Sequence, residues 1–215
     1  MLTENALREI EVLIDRYPSL KPQAAAIKLS VETIVASFRG GGKLLTCGNG
    51  GSAADSLHIV GELMKGFVLR REIAPQLQRK LKESYPEESA NYIANLQGAL
   101  PAISLVNEVA LTTAFGNDQA SELAFAQQVL GYGRPGDVLL AITTSGNSPN
   151  VLHAARLARV LGVKVIGMTG RGGGKLRALS DVLIDVPSDV TYQIQELHLP
   201  VYHALCLATE AEMFA

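Results

Sequence analysis

Between Cys47 and Glu62 the chain reads CGNGGSAADSLHIVGE, a glycine-rich turn that runs into a segment carrying His58 and Glu62 at i and i+4. On a helix that spacing puts both side chains on one face, within reach of one metal ion or one substrate, although a surface ion pair has the same signature. The turn ahead of them suits an anion. Glycines let the backbone approach a ligand closely, and the N–H groups at the positive end of the following helix attract negative charge. A second turn, TTSGNS at 143–148, repeats the plan with more hydroxyls and no lysine or arginine. Neither turn has the dinucleotide spacing G-x-G-x-x-G or the Gly-Lys-Ser/Thr ending of a P-loop, which argues against nicotinamide and nucleoside triphosphate ligands. RGGGK at 171–175 lacks that ending too and reads as a surface turn. Near the end of the chain, QIQELHLPVYHALC sets Gln195, Glu196, His198 and His203 in an otherwise apolar run. A histidine in such a run is usually a satisfied core residue, the reading for His198, whereas His203 is open to either role.

The elements that must position these groups follow from the hydrophobic pattern. Five short apolar runs, KLLTC (43–47), PAISL (101–105), DVLLAIT (137–143), VKVIGMT (163–169) and DVLIDVP (181–187), alternate with stretches of helical periodicity. This predicts an α/β, doubly wound, five-stranded parallel sheet flanked by helices, with ligands beyond the carboxyl ends of the strands, where both turns fall. Helices are expected over 4–17 and 22–38, from about Ser52, from about Asn150, and from Tyr192 to Met213. Residues 68–100 interrupt the alternation with a charged amphipathic stretch broken by Pro75 and Pro86, read as two short helices that either lie beside the pocket or against a neighbouring subunit, adjusting which ligand fits, or form a solvated surface excursion. A single domain over 1–215 is expected, with N-terminal helices in 1–40 and the insertion at 68–100.

Composition narrows the function classes. Nineteen basic residues against 21 acidic ones leave a net charge of −2 with no cationic block, so no nucleic-acid partner is expected. The opening MLTENALREIEVLID alternates charge with apolar positions and resembles neither a signal peptide nor a membrane span, so the expectation is a cytoplasmic protein with no membrane role. Cys47 and Cys206 are expected to be buried free thiols.

Taken together, CGNGGS, the His58–Glu62 pair, GND at 116–118, TTSGNS and Q-E-x-H-x-x-x-x-H at 195–203 resemble, in order, the sugar isomerase (SIS) fold and within it the phosphoheptose isomerases of bacterial heptose biosynthesis. The resemblance implies that Asn49, Gly50, Gly51 and Ser52 bind substrate, with Asn117 and Asp118. It implies that Thr143, Thr144, Ser145 and Ser148 hold the phosphate, a serine commonly standing in place of Thr143. It makes His58, Glu62, Gln195 and His203 metal ligands, Glu62 and Gln195 also touching substrate, and Glu62 and His203 the acid/base pair. Zinc suits such nitrogen and oxygen donors, as do other divalent ions. The implied assembly is a homotetramer with shared sites, which fits a geometric difficulty: Gln195 and His203 lie roughly 12 Å apart along a straight helix and about 80° around it, unless Pro200 kinks it. The implied reaction is sedoheptulose 7-phosphate to D-glycero-D-manno-heptose 7-phosphate. A relative that binds the replication initiator DnaA without the metal-site histidines, and a sugar-phosphate sensor, are the competing readings. Two positions depart from the family: Gly66, preceded by Lys65, replaces a frequent arginine, and Tyr192 replaces an acidic residue.

Overall fold

A computed structural model describes all 215 residues. Strands β1 (Leu44–Cys47), β2 (Ala102–Ser104), β3 (Val138–Ile142), β4 (Lys164–Thr169) and β5 (Val182–Asp185) form one parallel sheet in the order β2-β1-β3-β4-β5. All five apolar runs become strands. In β1 and β3 every residue is buried, because successive side chains enter opposite cores and both faces are covered. Leu44, Leu140, Ile142, Ile166 and Ile184 pack with α1 (Glu4–Arg16), α2 (Ala24–Arg39), α3 (Gly51–Met64) and α9 (Thr191–Phe214). Leu45, Leu139, Ala141 and Val165 pack with α7 (Ala124–Tyr132) and α8 (Pro149–Val160) on the other face.

The strand order reverses between β1 and β3, which opens a crevice at their carboxyl ends, the place where ligands of such sheets bind. The turns at 48–52 and 143–148 follow those two strands. Buried hydroxyls fix α3 over them: Ser56 Oγ lies 2.7 Å from Thr46 Oγ1 on β1 and 2.8 Å from Ser104 Oγ on β2. Each hydroxyl can both donate and accept, so the chain satisfies itself without water.

The insertion forms the expected two helices, α4 (Pro75–Ser84) and α5 (Ser89–Asn95), which pack on each other; α4 has no buried residue. Their stem is clamped at the end of α3, where Gly66 N–H donates to Gln97 Oε1 (2.6 Å) and Leu100 N–H to the Leu63 carbonyl (3.0 Å). The insertion is therefore rooted beside Glu62. After β2 the pattern is more broken than the sequence suggests: α6 (Val109–Phe115) passes into a π turn at Gly116–Ala120 and a 3-10 turn at Ser121–Leu123 before α7 begins. Pro200 does not interrupt α9, which runs continuously through it.

One buried ion pair joins the insertion stem, α3 and α9. Arg71 Nε lies 2.7 Å from Glu210 Oε1, with both side chains wholly buried. The Glu210 carboxylate also accepts from the backbone N–H groups of Phe67, Val68 and Leu69, while Arg71 donates to the Leu63 and Glu62 carbonyls. Burial alone would raise the Glu210 pKa, but the backbone donors and Arg71 hold it below the ordinary carboxylate value. Glu210→Gln leaves Arg71 buried beside an uncharged amide, and urea denaturation should show a loss of about 3–5 kcal/mol. Because the folded pKa is depressed, this stabilisation is complete above the ordinary carboxylate pKa and disappears as pH falls through the folded value. The urea midpoint of the variant should accordingly decline less steeply in acid than that of the native chain; equal slopes would exclude the pair as a source of the pH dependence.

Candidate active site

Helix α9 runs beside α3 in the same sense, so that Gln195 meets Gly51, His203 meets His58, and Glu210 meets Phe67 just past the end of α3. At the middle of this seam His58 Nε2 stands 3.1 Å from Glu62 Oε1, and Lys65 Nζ stands 2.6 Å from Glu62 Oε2. The His203 ring approaches His58 edge-on at 5.1 Å between centroids and is flanked by Tyr202 and Phe67. His203 Nε2 is buried and has no hydrogen-bond partner. Burial works to raise the Glu62 pKa, but Lys65 and His58 together hold it below the ordinary value, which keeps it a carboxylate. Burial and the neighbouring His58 push the His203 pKa below the usual imidazole value, with Glu62 offsetting only part. A carboxylate that can take a proton thus faces a neutral imidazole that can give one.

At the switch-point crevice, the two turns are tied together by a reciprocal amide pair. Asn49 Nδ2 donates to Asn150 Oδ1 and Asn150 Nδ2 to Asn49 Oδ1, both at 2.9 Å. Asn150 lies in the first turn of α8, so its partner turn is set at the positive end of that helix. Thr143 Oγ1 and Ser148 Oγ are 2.9 Å apart, and Ser145 Oγ accepts from the Asn147 N–H. RGGGK is not the plain surface turn its composition suggests. Gly172, Gly173 and Gly174 all have positive φ, and a Cβ on Gly146 (φ 66°) would collide with the Gly173 carbonyl. Lys175 N–H donates to Asn147 Oδ1, and Leu176 N–H to the Gly146 carbonyl. The glycines are there because two backbones press together to shape the hydroxyl loop.

The SIS domain family matches residues 9–104 and 87–170. A phosphoheptose isomerase from Rhodospirillum rubrum is 45% identical over 192 residues, covering 89% of this chain and 88% of that protein. One from Akkermansia muciniphila is 35% identical over 213 residues, 99% of each chain. The chain belongs to the phosphoheptose isomerase family of SIS-domain proteins. The solved phosphoheptose isomerase from Neisseria gonorrhoeae superposes with a TM-score of 0.73 at 32% identity, over 95% of this chain and 92% of that one. The Francisella tularensis enzyme gives 0.72 at 33% identity, over 93% of each.

Within one chain the fold brings His58, Glu62 and His203 together, so Glu62 and His203 need no second subunit in order to meet. It does not bring Gln195 to them: its side chain rests on Gly51, seven residues before His58, or about 10 Å along α3. Gly50 opens the first turn at φ 56°, whereas Ser52 is only 3% exposed beneath it. Thr143 is likewise buried, while Thr144, Ser145 and Ser148 line the more open part of the loop. Asn117 and Asp118 are exposed and bonded to each other at 2.8 Å, in a π turn that packs on α6 and on the 3-10 turn Ser121–Leu123 rather than on α3 or α9. His198 is buried as expected but not satisfied. Neither ring nitrogen has a partner at bonding distance, and burial drives its pKa down to about 4, only partly offset by the Thr169 backbone.

The donor types at the seam fit a divalent cation. His58 Nε2 and Glu62 Oε1 are close to the separation of two ligands on one ion, and the partnerless His203 nitrogen is buried next to them. No three His, Cys, Asp or Glu side chains already converge at coordination distance. Residues not anticipated from sequence are Asn150, Asp55 and Tyr202. Asp55 was legible in principle, since it lies three residues before His58 and seven before Glu62, on their face of α3. Burial raises its pKa to about 6, against the Tyr202 hydroxyl and His58, which lower it. Asn150→Ala should cut the clasp between the turns and raise KM for a sugar phosphate about 10-fold, the equivalent of one to two lost hydrogen bonds, with kcat little changed. Steady-state kinetics that show unchanged KM would separate the clasp from phosphate binding.

Proposed function

We propose that the protein is an aldose–ketose isomerase that converts sedoheptulose 7-phosphate to D-glycero-D-manno-heptose 7-phosphate. The observation that carries this reading is the juxtaposition of the Glu62 carboxylate and the neutral His203 ring on paired helices, at a site whose neighbouring crevice is built to hold an anion. The named relatives supply the substrate class. In the forward direction Glu62 takes the proton from C1 of the ketose and returns it to C2. His203 protonates the oxygen on C2 as the enediol forms and takes back the proton of the C1 hydroxyl as the aldehyde appears, so no proton is gained or lost. The hydroxyl loop and α8 fix the phosphate, which turns binding energy into orientation at the far end of the sugar. Lys65, bonded to Glu62 here, supplies positive charge where the family often has an arginine one residue later.

Zinc, or another divalent cation, would be held by His58, Glu62 and His203, with Gln195 joining only on leaving Gly51. When bound it stabilises negative charge on the substrate oxygens. In this reading the protein is cytoplasmic and works as a homotetramer, in which Asn117 and Asp118, packed away from α3 and α9 in their own chain, can be offered to a neighbour's site. No helix is long and apolar enough to cross a membrane. Retention of His58 and His203 speaks against the DnaA-binding reading, and the presence of Glu62 beside His203 speaks against a sensor that needs only the phosphate loop.

Purified protein incubated with sedoheptulose 7-phosphate should form the aldose. Glu62→Gln should remain folded and still bind the sugar phosphate, while turnover falls about 100-fold or more. Dialysis against a chelator should remove most activity, and a divalent metal should restore it. Absence of conversion with any divalent ion would overturn the isomerase assignment; native rates in Glu62→Gln would remove that residue from the mechanism.

A further inference from the structure

Helix α1 lies antiparallel along α9: Thr3 N–H, just before its start, donates to Glu212 Oε2 (2.6 Å), and Arg16, its last residue, comes level with Leu199 and His203. Between the two helices runs a groove of about 270 Å3, lined by Glu9, Arg16 and Tyr17 on one side and by Leu199, His203 and Leu207 on the other. The half-buried His203 ring, edge-on to His58 at the seam, is thus also part of this groove, so a molecule bound there meets the acid/base pair. Mainly apolar walls with a few polar groups are the makeup of a small-molecule pocket. Here the charged groups are unengaged. Neither Arg16 nor Glu9 belongs to an ion pair. The Arg16 guanidinium lies 5.5 Å from the centroid of the Tyr17 ring, a contact that leaves its N–H donors free. Glu9 is half-buried and has lost part of its hydration without gaining a cation. The two stand on one face of α1, roughly 10 Å apart, with Arg16 beside His203 and Glu9 beyond it toward Leu207.

These charges select which end of a sugar phosphate can enter. A dianion beside Glu9 would be repelled, whereas the crevice beyond β1 and β3 offers an anion backbone amides and the Thr143 and Ser148 hydroxyls. Sugar oxygens suit the groove: carbonyl and hydroxyl oxygens accept from a guanidinium, and a hydroxyl also donates to a carboxylate. We propose that the α1–α9 groove receives the reacting end of the sugar: Arg16 is a substrate-binding residue that donates to the oxygens next to His203, and Glu9 closes the far end, accepting from the terminal hydroxyl and excluding a second anion. The identity of that sugar rests on the isomerase reading.

Calorimetry on the full-length protein tests the proposal with three probes: sedoheptulose 7-phosphate, the 1,7-bisphosphate of the same sugar, and inorganic phosphate. Arg16→Ala, at an exposed helix end, should weaken binding of the monophosphate about 10–100-fold, the loss of hydrogen bonds from a charged donor, and leave binding of inorganic phosphate unchanged; Arg16→Lys should recover part of the loss. The native chain should bind the bisphosphate about 10-fold or more weakly than the monophosphate, and Glu9→Gln, which keeps shape and removes charge, should narrow that gap. A purely structural role for α1 would move all three probes together. Equal monophosphate affinity in the native chain and Arg16→Ala, or a bisphosphate gap that Glu9→Gln leaves intact, would overturn the proposal. None of these readouts is turnover: a native chain that binds the monophosphate through Arg16 yet fails to convert it would remove the isomerase reading and keep the groove, whereas conversion with equal rates and affinities in Arg16→Ala would remove the groove alone.

Discussion

The buried Arg71–Glu210 pair is the constraint from which the geometry of the site follows. His203 and Glu210 are seven residues apart on α9 and so share a face, while Arg71 donates to the backbone carbonyls of Glu62 and Leu63 at the end of α3. One guanidinium thereby sets the register of the two helices that carry the acid/base pair. Two charges taken out of water are a poor source of net stability, since desolvation opposes their attraction. What the pair supplies is specificity: with three backbone amides also aimed at Glu210, the loop 65–71 has one conformation in which every buried polar group is satisfied. Lys65 begins that loop and reaches Glu62 from it.

The site has two ends, and α9 connects them. At the carboxyl ends of β1 and β3 the backbone and hydroxyls favour an anion; two turns further along the seam stand the Glu62 carboxylate and the imidazoles of His58 and His203. A linear sugar phosphate is a molecule with that polarity, its dianion at one terminus and its carbonyl at the other. Gln195 at the anion end and His203 at the reacting end lie on one continuous helix, so movement of α9 would displace both together. The division also explains the burial pattern. The Thr46–Ser56–Ser104 hydroxyls lie under α3 where no ligand reaches, and satisfy one another so that the helix can sit directly on the sheet.

Much of this was legible in the sequence because the signals were local. The five apolar runs became five parallel strands, since strands covered on both faces need continuous hydrophobicity and little else. The i, i+4 spacing of His58 and Glu62 placed them on one helical face before any tertiary contact was known. The two helices of the insertion followed from Pro75 and Pro86 and from amphipathic spacing. Other features had no local signature. RGGGK looks like any flexible turn until the carbonyl of Gly173 is seen pressed against Gly146, and the π turn after α6 leads into a 3-10 turn held by packing against α7 and α8.

By itself, then, the sequence determined the α/β class, the family and the candidate groups at each turn, because periodicity and short motifs encode backbone conformation and side-chain chemistry over a few residues. Only the tertiary structure decided which of those groups meet. That His203 faces His58 within one chain while Gln195 rests on Gly51 depends on α9 running alongside α3 in the same sense, a register set by contacts between residues as distant as Arg71 and Glu210. The Asn49–Asn150 clasp spans 101 positions and His58–Tyr202 spans 144. Such pairings are fixed by the packing of whole elements, and no spacing along the chain announces them.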